Sequence, residues 1–197
     1  MATQQRGSGR ANALKGELLI RLEEASTAPA EAVYELLADV RSHLEWGGKR
    51  QPKENFRLLS VQAPEGAASV GTEFQTTGAD SMGRFADSSV VTEASRPSLF
   101  EFVTEARLST KKGKVVEWTN VHRYELARQG EGCRVSYTLR VVRISELPGA
   151  LAIFKVPGLR SLGLKLSGSY ARKGLRNLVR MAEERAGTVP AVGTGDA

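Results

Sequence analysis

The stretch VVEWTNVHRYEL, Val115 to Leu126, decides how this chain is read. Taken as a strand, it places Trp118, Asn120, His122, Tyr124 and Leu126 side by side on one face, because successive side chains point to opposite sides of a sheet. Three of these five are apolar or aromatic, which marks the face as the inward one. An inward row that carries an asparagine and a histidine needs an explanation, since both cost free energy when buried without partners.

Working outward, the flanking segments are also strands. From Phe56 the chain runs through FRLLSVQ, GTEFQTTG, FADSSVVTEA, LFEFVTEARL and KVVEWTNVHRYELA, followed by CRVSYTLRVVRI. The separators carry turn chemistry: Pro64 to Gly66, Gly78 to Gly83, Arg96 and Pro97, Lys111 to Gly113, and Gln129 to Gly132. Strands joined by turns this short pair antiparallel. Ahead of them, Leu18, Ile20 and Leu22 alternate in GELLIRLEEA as in a half-buried strand. In PAEAVYELLADVRSHLEW the period changes, with Val33, Leu36, Leu37, Val40 and Leu44 at helical spacing. This predicts one helix of about four turns from Pro29 to Trp46, stopped by Gly47 and Gly48. After the strands, LPGALAIFKVPGLRSLG leads into a long helix ending near Ala186, whose apolar line is Leu162, Leu166, Tyr170, Gly174, Leu178 and Met181.

The expected architecture is α+β: a seven-stranded antiparallel sheet, a helical segment after the first strand, and a long C-terminal helix covering the apolar face. At 197 residues the length suits one domain. Residues 14–187 are expected to form it, with the small, polar, Gly-rich ends 1–13 and 188–197 as disordered tails. Hydrophobic residues at 41% and charged residues at 25% fit a soluble globular protein. The N-terminus has no apolar core of a secretory signal, and no apolar run approaches the length of a membrane span, so a cytoplasmic location is expected. The single cysteine, Cys133, excludes an internal disulfide, and two histidines, His43 and His122, offer no zinc spacing, so no metal or cofactor is expected.

The order of elements resembles a known family. The early helix AEAVYELLADVRSHLEW with its terminal tryptophan, the GTEF strand, the VVTEASRPSLFEF pair, the GEGCRVSYTLRV strand and the closing GLRNLVRMAEE helix are similar to those of the polyketide cyclase/dehydrase and lipid-transport proteins of the START-like, SRPBCC superfamily. The resemblance covers roughly Gly16 to Ala186. It implies a helix-grip fold, in which a curved sheet wraps the C-terminal helix and encloses a cavity for an apolar small molecule. It does not imply one activity, because the superfamily spans enzymes, lipid carriers and receptors, and a fold does not fix a function.

On that architecture, Trp118, Asn120, His122 and Tyr124 are expected to line the cavity, joined by Phe100, Phe102 and Thr104, by Tyr137 and Leu139, and by Tyr170 from the long helix. His122 and Asn120 would hydrogen-bond each other, the backbone or a trapped water, or contact a ligand, or His122 would serve as general acid or base in a cyclisation or dehydration. Binding of a lipid or polyketide-like molecule is the leading function, with a cyclase or dehydratase using His122 as the competitor and an RNA-, ribosome- or membrane-associated interaction protein as a third reading. Asp39 and His43 are expected to pair at the surface of the first helix. Lys165, Arg172, Arg176 and Arg180 form a basic stripe opposite the apolar line, read as a solvated face or as a contact for anionic lipid at a membrane surface or for RNA phosphate. The aromatic residues of a nucleic-acid surface are missing from it. Cys133 is expected to be a packing or edge residue.

Overall fold

A computed structural model describes residues 17–51, 56–145 and 160–188, and the side chains of all of these except 160–167. The strands are β1 (Leu18–Ser26), β2 (Arg57–Gln62), β3 (Glu73–Ala79), β4 (Gly83–Ser95), β5 (Leu99–Thr110), β6 (Val115–Gln129) and β7 (Gly132–Ile144). They form one sheet in the order β1-β7-β6-β5-β4-β3-β2, antiparallel at every pairing. Each predicted strand is present, with ends that differ by a residue or two. The β6–β7 turn uses Gly130 at φ 61°, a left-handed conformation that glycine adopts without a Cβ penalty.

The predicted four-turn helix is broken into three pieces. Helix α1 spans only Ala30–Ala38, and a 3₁₀ turn (Val40–Ser42) and a π-helical turn (Glu45–Lys49) follow it. The apolar spacing continues through the break, but polar side chains take over the carbonyls at its end. The Ser42 hydroxyl donates to Leu36 O at 2.6 Å, and His43 Nε2 lies 3.0 Å from Leu37 O. Such side-chain bonds compete with the main-chain ladder, and Asp39 leaves helical geometry at ψ 82°. Gly47 and Gly48 lie inside the π-helical turn rather than after a helix end. Gly48 is needed there, because a Cβ would stand 2.6 Å from Leu58 O.

Helix α2 (Arg160–Ala186) packs chiefly on β1, α1 and the π-helical turn. Its inward line is Ala171, Leu175, Leu178, Val179 and Ala182, with Gly174 and Met181 at the margin. Tyr170, expected on that line, is 47% exposed. The correction follows from helix geometry: adjacent residues are about 100° apart, so a face centred between Ala171 and Leu178 turns Tyr170 to its flank. Leu162 and Leu166 lie outside the residues whose side chains are described, as do residues 1–13, 189–197 and the LPGALAIFKVPG connection outside the described residues altogether. Thr188, expected at the start of a tail, is tied by its hydroxyl to Thr27 Oγ1 at 2.9 Å and by its main-chain N–H to Glu183 O at 3.0 Å.

Several polar contacts hold α2 in place, among them those of Asn177 and Glu183. Asn177 Nδ2 donates to the carbonyls of Trp46 and Arg50, both at 3.1 Å, and Thr27 N–H donates to Glu183 Oε1 at 2.8 Å. The apolar core lies between α1, α2 and the sheet end that carries Phe100, Tyr124, Leu126 and Val135. Phe100 is fully buried, and burying a side chain of this size is worth about 2 to 3 kcal/mol.

Candidate functional site

The registers place side chains of neighbouring strands in rows across the inner face. One row runs Phe100, Tyr124, Tyr137 and Leu22, and the next runs Val91, Phe102, His122, Leu139 and Ile20. A third runs Phe74, Ser89, Thr104, Asn120 and Val141. A fourth runs Thr76, Asp87, Ala106, Trp118 and Ile144. The inner face therefore changes character along the strands, from aromatic at the α1 end to a polar band at Ser89, Thr104, Asn120, Thr76 and Asp87. Beyond the band, Phe85, Leu108, Val116 and Ile144 form a second, smaller apolar cluster with Trp118 packed against it.

Of the residues expected to line a site, the structure puts Phe100, Phe102, Thr104, Trp118, Asn120, His122, Tyr124, Tyr137 and Leu139 on this one face. Tyr170 does not join them. The flanking Phe100, Phe102, Tyr124 and Tyr137 are buried, whereas Trp118, Asn120, His122 and Leu139 each keep accessible surface in the middle of the sheet. Inward residues of central strands are normally fully covered.

His122 sits in a ladder of rings. Its imidazole is stacked on Phe102, with centroids 4.6 Å apart and planes 10° from parallel. Its Nδ1 lies 2.9 Å from the Tyr137 hydroxyl, and Tyr124 in turn hydrogen-bonds Tyr137. Desolvation by the surrounding rings, with repulsion from His43 added, pushes His122 down to about 3, so the ring is neutral near pH 7. The same burial pushes both phenols above their ordinary range, which keeps their protons on. The consistent arrangement is Tyr124 O–H donating to Tyr137, and Tyr137 O–H donating to His122 Nδ1, which leaves Nε2 as the imidazole N–H.

His43, expected to pair with Asp39 on the surface, is instead buried at 3% exposure. Its ring packs 4.8 Å from Trp46 and 6.0 Å from Phe102. Burial pushes it down to about 4, with only partial relief from the Leu37 carbonyl and the Asp39 charge. Helix spacing itself accounts for this burial, since His43 stands seven positions after buried Leu36 and three after buried Val40 and so shares their inward side.

Asp87 was not foreseen as part of the site. Burial pushes its carboxyl up to about 7, against hydrogen bonds from the Arg107 main chain and the Thr76 side chain. The signal was available in FADSSVVTEA, where strand alternation sets Asp87 and Ser89 on the same face as Phe85 and Val91. Ser89 and Thr104 satisfy each other through their hydroxyls at 2.8 Å. Asp87 Oδ1 and Asn120 Oδ1 have no hydrogen-bond partner, and neither does Trp46 Nε1 or Gln51 Oε1. Buried polar atoms of a folded chain are normally matched.

The basic stripe is engaged within the molecule. Arg172 and Arg176 reach Glu24 at 3.5 and 3.1 Å, and Arg180 reaches Glu184 at 3.3 Å. The Lys165 side chain lies outside those described. Cys133 is fully buried, and burial pushes its thiol up to about 11, so it is a packing residue and not a thiolate. Among the described residues no group of three His, Cys, Asp or Glu side chains could hold a metal ion, and no helix is long and apolar enough to cross a membrane.

No protein-family model matches the sequence, and no curated protein does. Solved structures do match the fold. Protein CV1439 from Chromobacterium violaceum aligns over 84% of this chain and 96% of its own, at 18% identity and a TM-score of 0.56. Ara h 8.0201 aligns over 85% of this chain and 98% of its own, at 12% identity and a TM-score of 0.55. Major latex-like protein 151 from Panax ginseng aligns over 84% and 97%, at 10% identity and a TM-score of 0.54. Identities this low speak to fold alone. With its seven-stranded antiparallel sheet, the helical insertion after β1 and the closing helix α2, the chain has the helix-grip fold.

Proposed function

We propose that this protein binds a hydrophobic small molecule, lipid or polyketide-like, between the inner face of the sheet and α2. The observation that carries the reading is the half-exposed, incompletely hydrogen-bonded centre of that face. Trp118, Asn120, His122 and Leu139 keep accessible surface where a solid core would bury them, and polar atoms beside them lack partners. An apolar pocket with a few convergent polar groups is the usual form of a small-molecule site. The apolar body of the ligand would lie against Phe102, Trp118 and Leu139, gaining about 25 cal/mol for each Å² it removes from water.

Binding is favoured over a reaction run by His122. A general base near neutral pH needs a free basic nitrogen with a suitable pKa, whereas this imidazole is held near 3 and its Nδ1 already accepts from Tyr137. No carboxylate is hydrogen-bonded to His122 among the described residues. Native mass spectrometry of the purified chain tests the proposal. A bound apolar molecule, released on denaturation, is the expected result. A ligand-free mass that stays unchanged after incubation with a lipid extract overturns it.

A further inference from the structure

Resting on that reading, we infer that the ligand presents an uncharged hydroxyl group, held between Asn120 and His122 of β6, and that ligands ending in a carboxylate are rejected.

Asn120 and His122 are two residues apart on one strand and share its inner face. Their Cα atoms are therefore roughly 7 Å apart, with side chains running side by side. One oxygen can bridge such a gap, because two hydrogen bonds of about 2.8 Å placed end to end span most of it. The two sides of the gap ask for opposite partners. Asn120 Oδ1 is a buried acceptor without a donor. His122, whose Nδ1 is used by Tyr137, offers an N–H at Nε2. A hydroxyl is both donor and acceptor and satisfies both sides, whereas a carboxylate is an acceptor alone and leaves Asn120 unmatched.

Charge argues the same way. Among the described residues of the seven strands, the one Lys or Arg with inner parity is Arg128, exposed at the far end of β6 opposite Cys133, and none lies in the rows of Asn120 and His122. The one carboxyl on that face beyond Glu24 is Asp87, whose Oδ1 is itself an unmatched buried acceptor one row from Asn120. A ligand carboxylate placed beside Asn120 and His122 would meet two unmatched acceptors and no strand Lys or Arg in their rows, losing its hydration without replacement. Glu24 does not alter this, because Arg172 and Arg176 already neutralise it.

The test is isothermal titration of the full chain at pH 8 with two probes that share one acyl chain, 1-monopalmitoylglycerol and palmitate. Monopalmitoylglycerol is expected to bind at least about tenfold more tightly. Asn120→Leu should bring the two within about twofold, chiefly by weakening monopalmitoylglycerol. Asn120→Asp, which keeps the size of the side chain and adds charge, should widen the gap by weakening palmitate further. Equal binding of the two probes to the natural chain, or tighter palmitate binding, overturns the hydroxyl assignment and leaves the binding proposal standing. If neither probe binds, the assignment and the binding function fail together.

Discussion

His122 lies flat on Phe102, with 4.6 Å between ring centroids and 10° between planes, and His43 packs 6.0 Å from the same phenylalanine. The two histidines of the chain thus meet at one buried aromatic ring, although 79 positions separate them (122 minus 43). Burial holds them near 3 and near 4. Below about pH 6.5 the unfolded chain takes up protons at both sites that the folded chain refuses, so unfolding gains protons and stability falls as pH falls. For the enclosed His43 the loss is on the order of 3 kcal/mol once pH reaches about 4. Urea midpoints measured at pH 7 and pH 5 should show the drop, and His43→Gln should flatten it. An unaltered slope in that variant would place the acid sensitivity elsewhere.

Asp87 acts in the opposite sense. Its folded carboxyl titrates near 7, above the ordinary carboxylate value, so between about pH 4 and pH 7 the folded chain holds the extra proton. Its favourable contribution is complete in acid and is lost as pH rises through 7. Asp87→Asn should therefore stabilise the protein at pH 8, by on the order of 1 kcal/mol after allowance for partial exposure, with the gain fading by pH 4. Thermal melts of both chains at the two pH values give the comparison; a gain of equal size at both would show that the charge is not its source.

Gly78 leaves room for a neighbouring ring. A Cβ there would overlap the ring of Phe85 and stand 2.5 Å from Arg57 O. The Phe85 ring cannot easily move, since Phe56 is stacked on it at 4.2 Å. Gly78→Ala should cost about 1 to 3 kcal/mol. A change in melting temperature within a degree of the natural chain would mean that β2 and β3 adjust more freely than their packing implies.

Asn177 joins α2 to the turn that follows α1 through two hydrogen bonds of 3.1 Å, to Trp46 O and Arg50 O. Asn177→Ala removes both and leaves the carbonyls unmatched, at about 1 to 3 kcal/mol. Faster amide exchange in Glu45–Lys49 and in the middle of α2 should accompany the loss. Exchange that quickens only at the mutated residue would show that other contacts hold this junction.

Much of the sheet's inner face can be read before any tertiary structure. Strand alternation put Trp118, Asn120, His122 and Tyr124 on one face, and the same rule gave Phe100, Phe102 and Thr104 from β5 and Tyr137 and Leu139 from β7. Local spacing misleads at the helices and is silent on which buried polar residues stay unpaired. Helical spacing through PAEAVYELLADVRSHLEW suggested one helix, yet Ser42 and His43 bond the carbonyls of Leu36 and Leu37 and break it. Tyr170 fell outside because a helix face is located by the surface it meets, and a spacing of four is compatible with several adjoining faces.

By itself the sequence determined the strands, their antiparallel pairing and the inward parity of the β6 row, because a period of two and short turns are local properties of the chain. Only the tertiary structure decided which inward polar groups find partners. Tyr137 reaches His122 across a strand pairing, Ser89 reaches Thr104 across another, and Asn120 and Asp87 are left with unmatched oxygens. Hydrogen bonding depends on positions within a few tenths of an ångström between residues distant in sequence, and those positions exist only once register, bulges and the turns after α1 have been set.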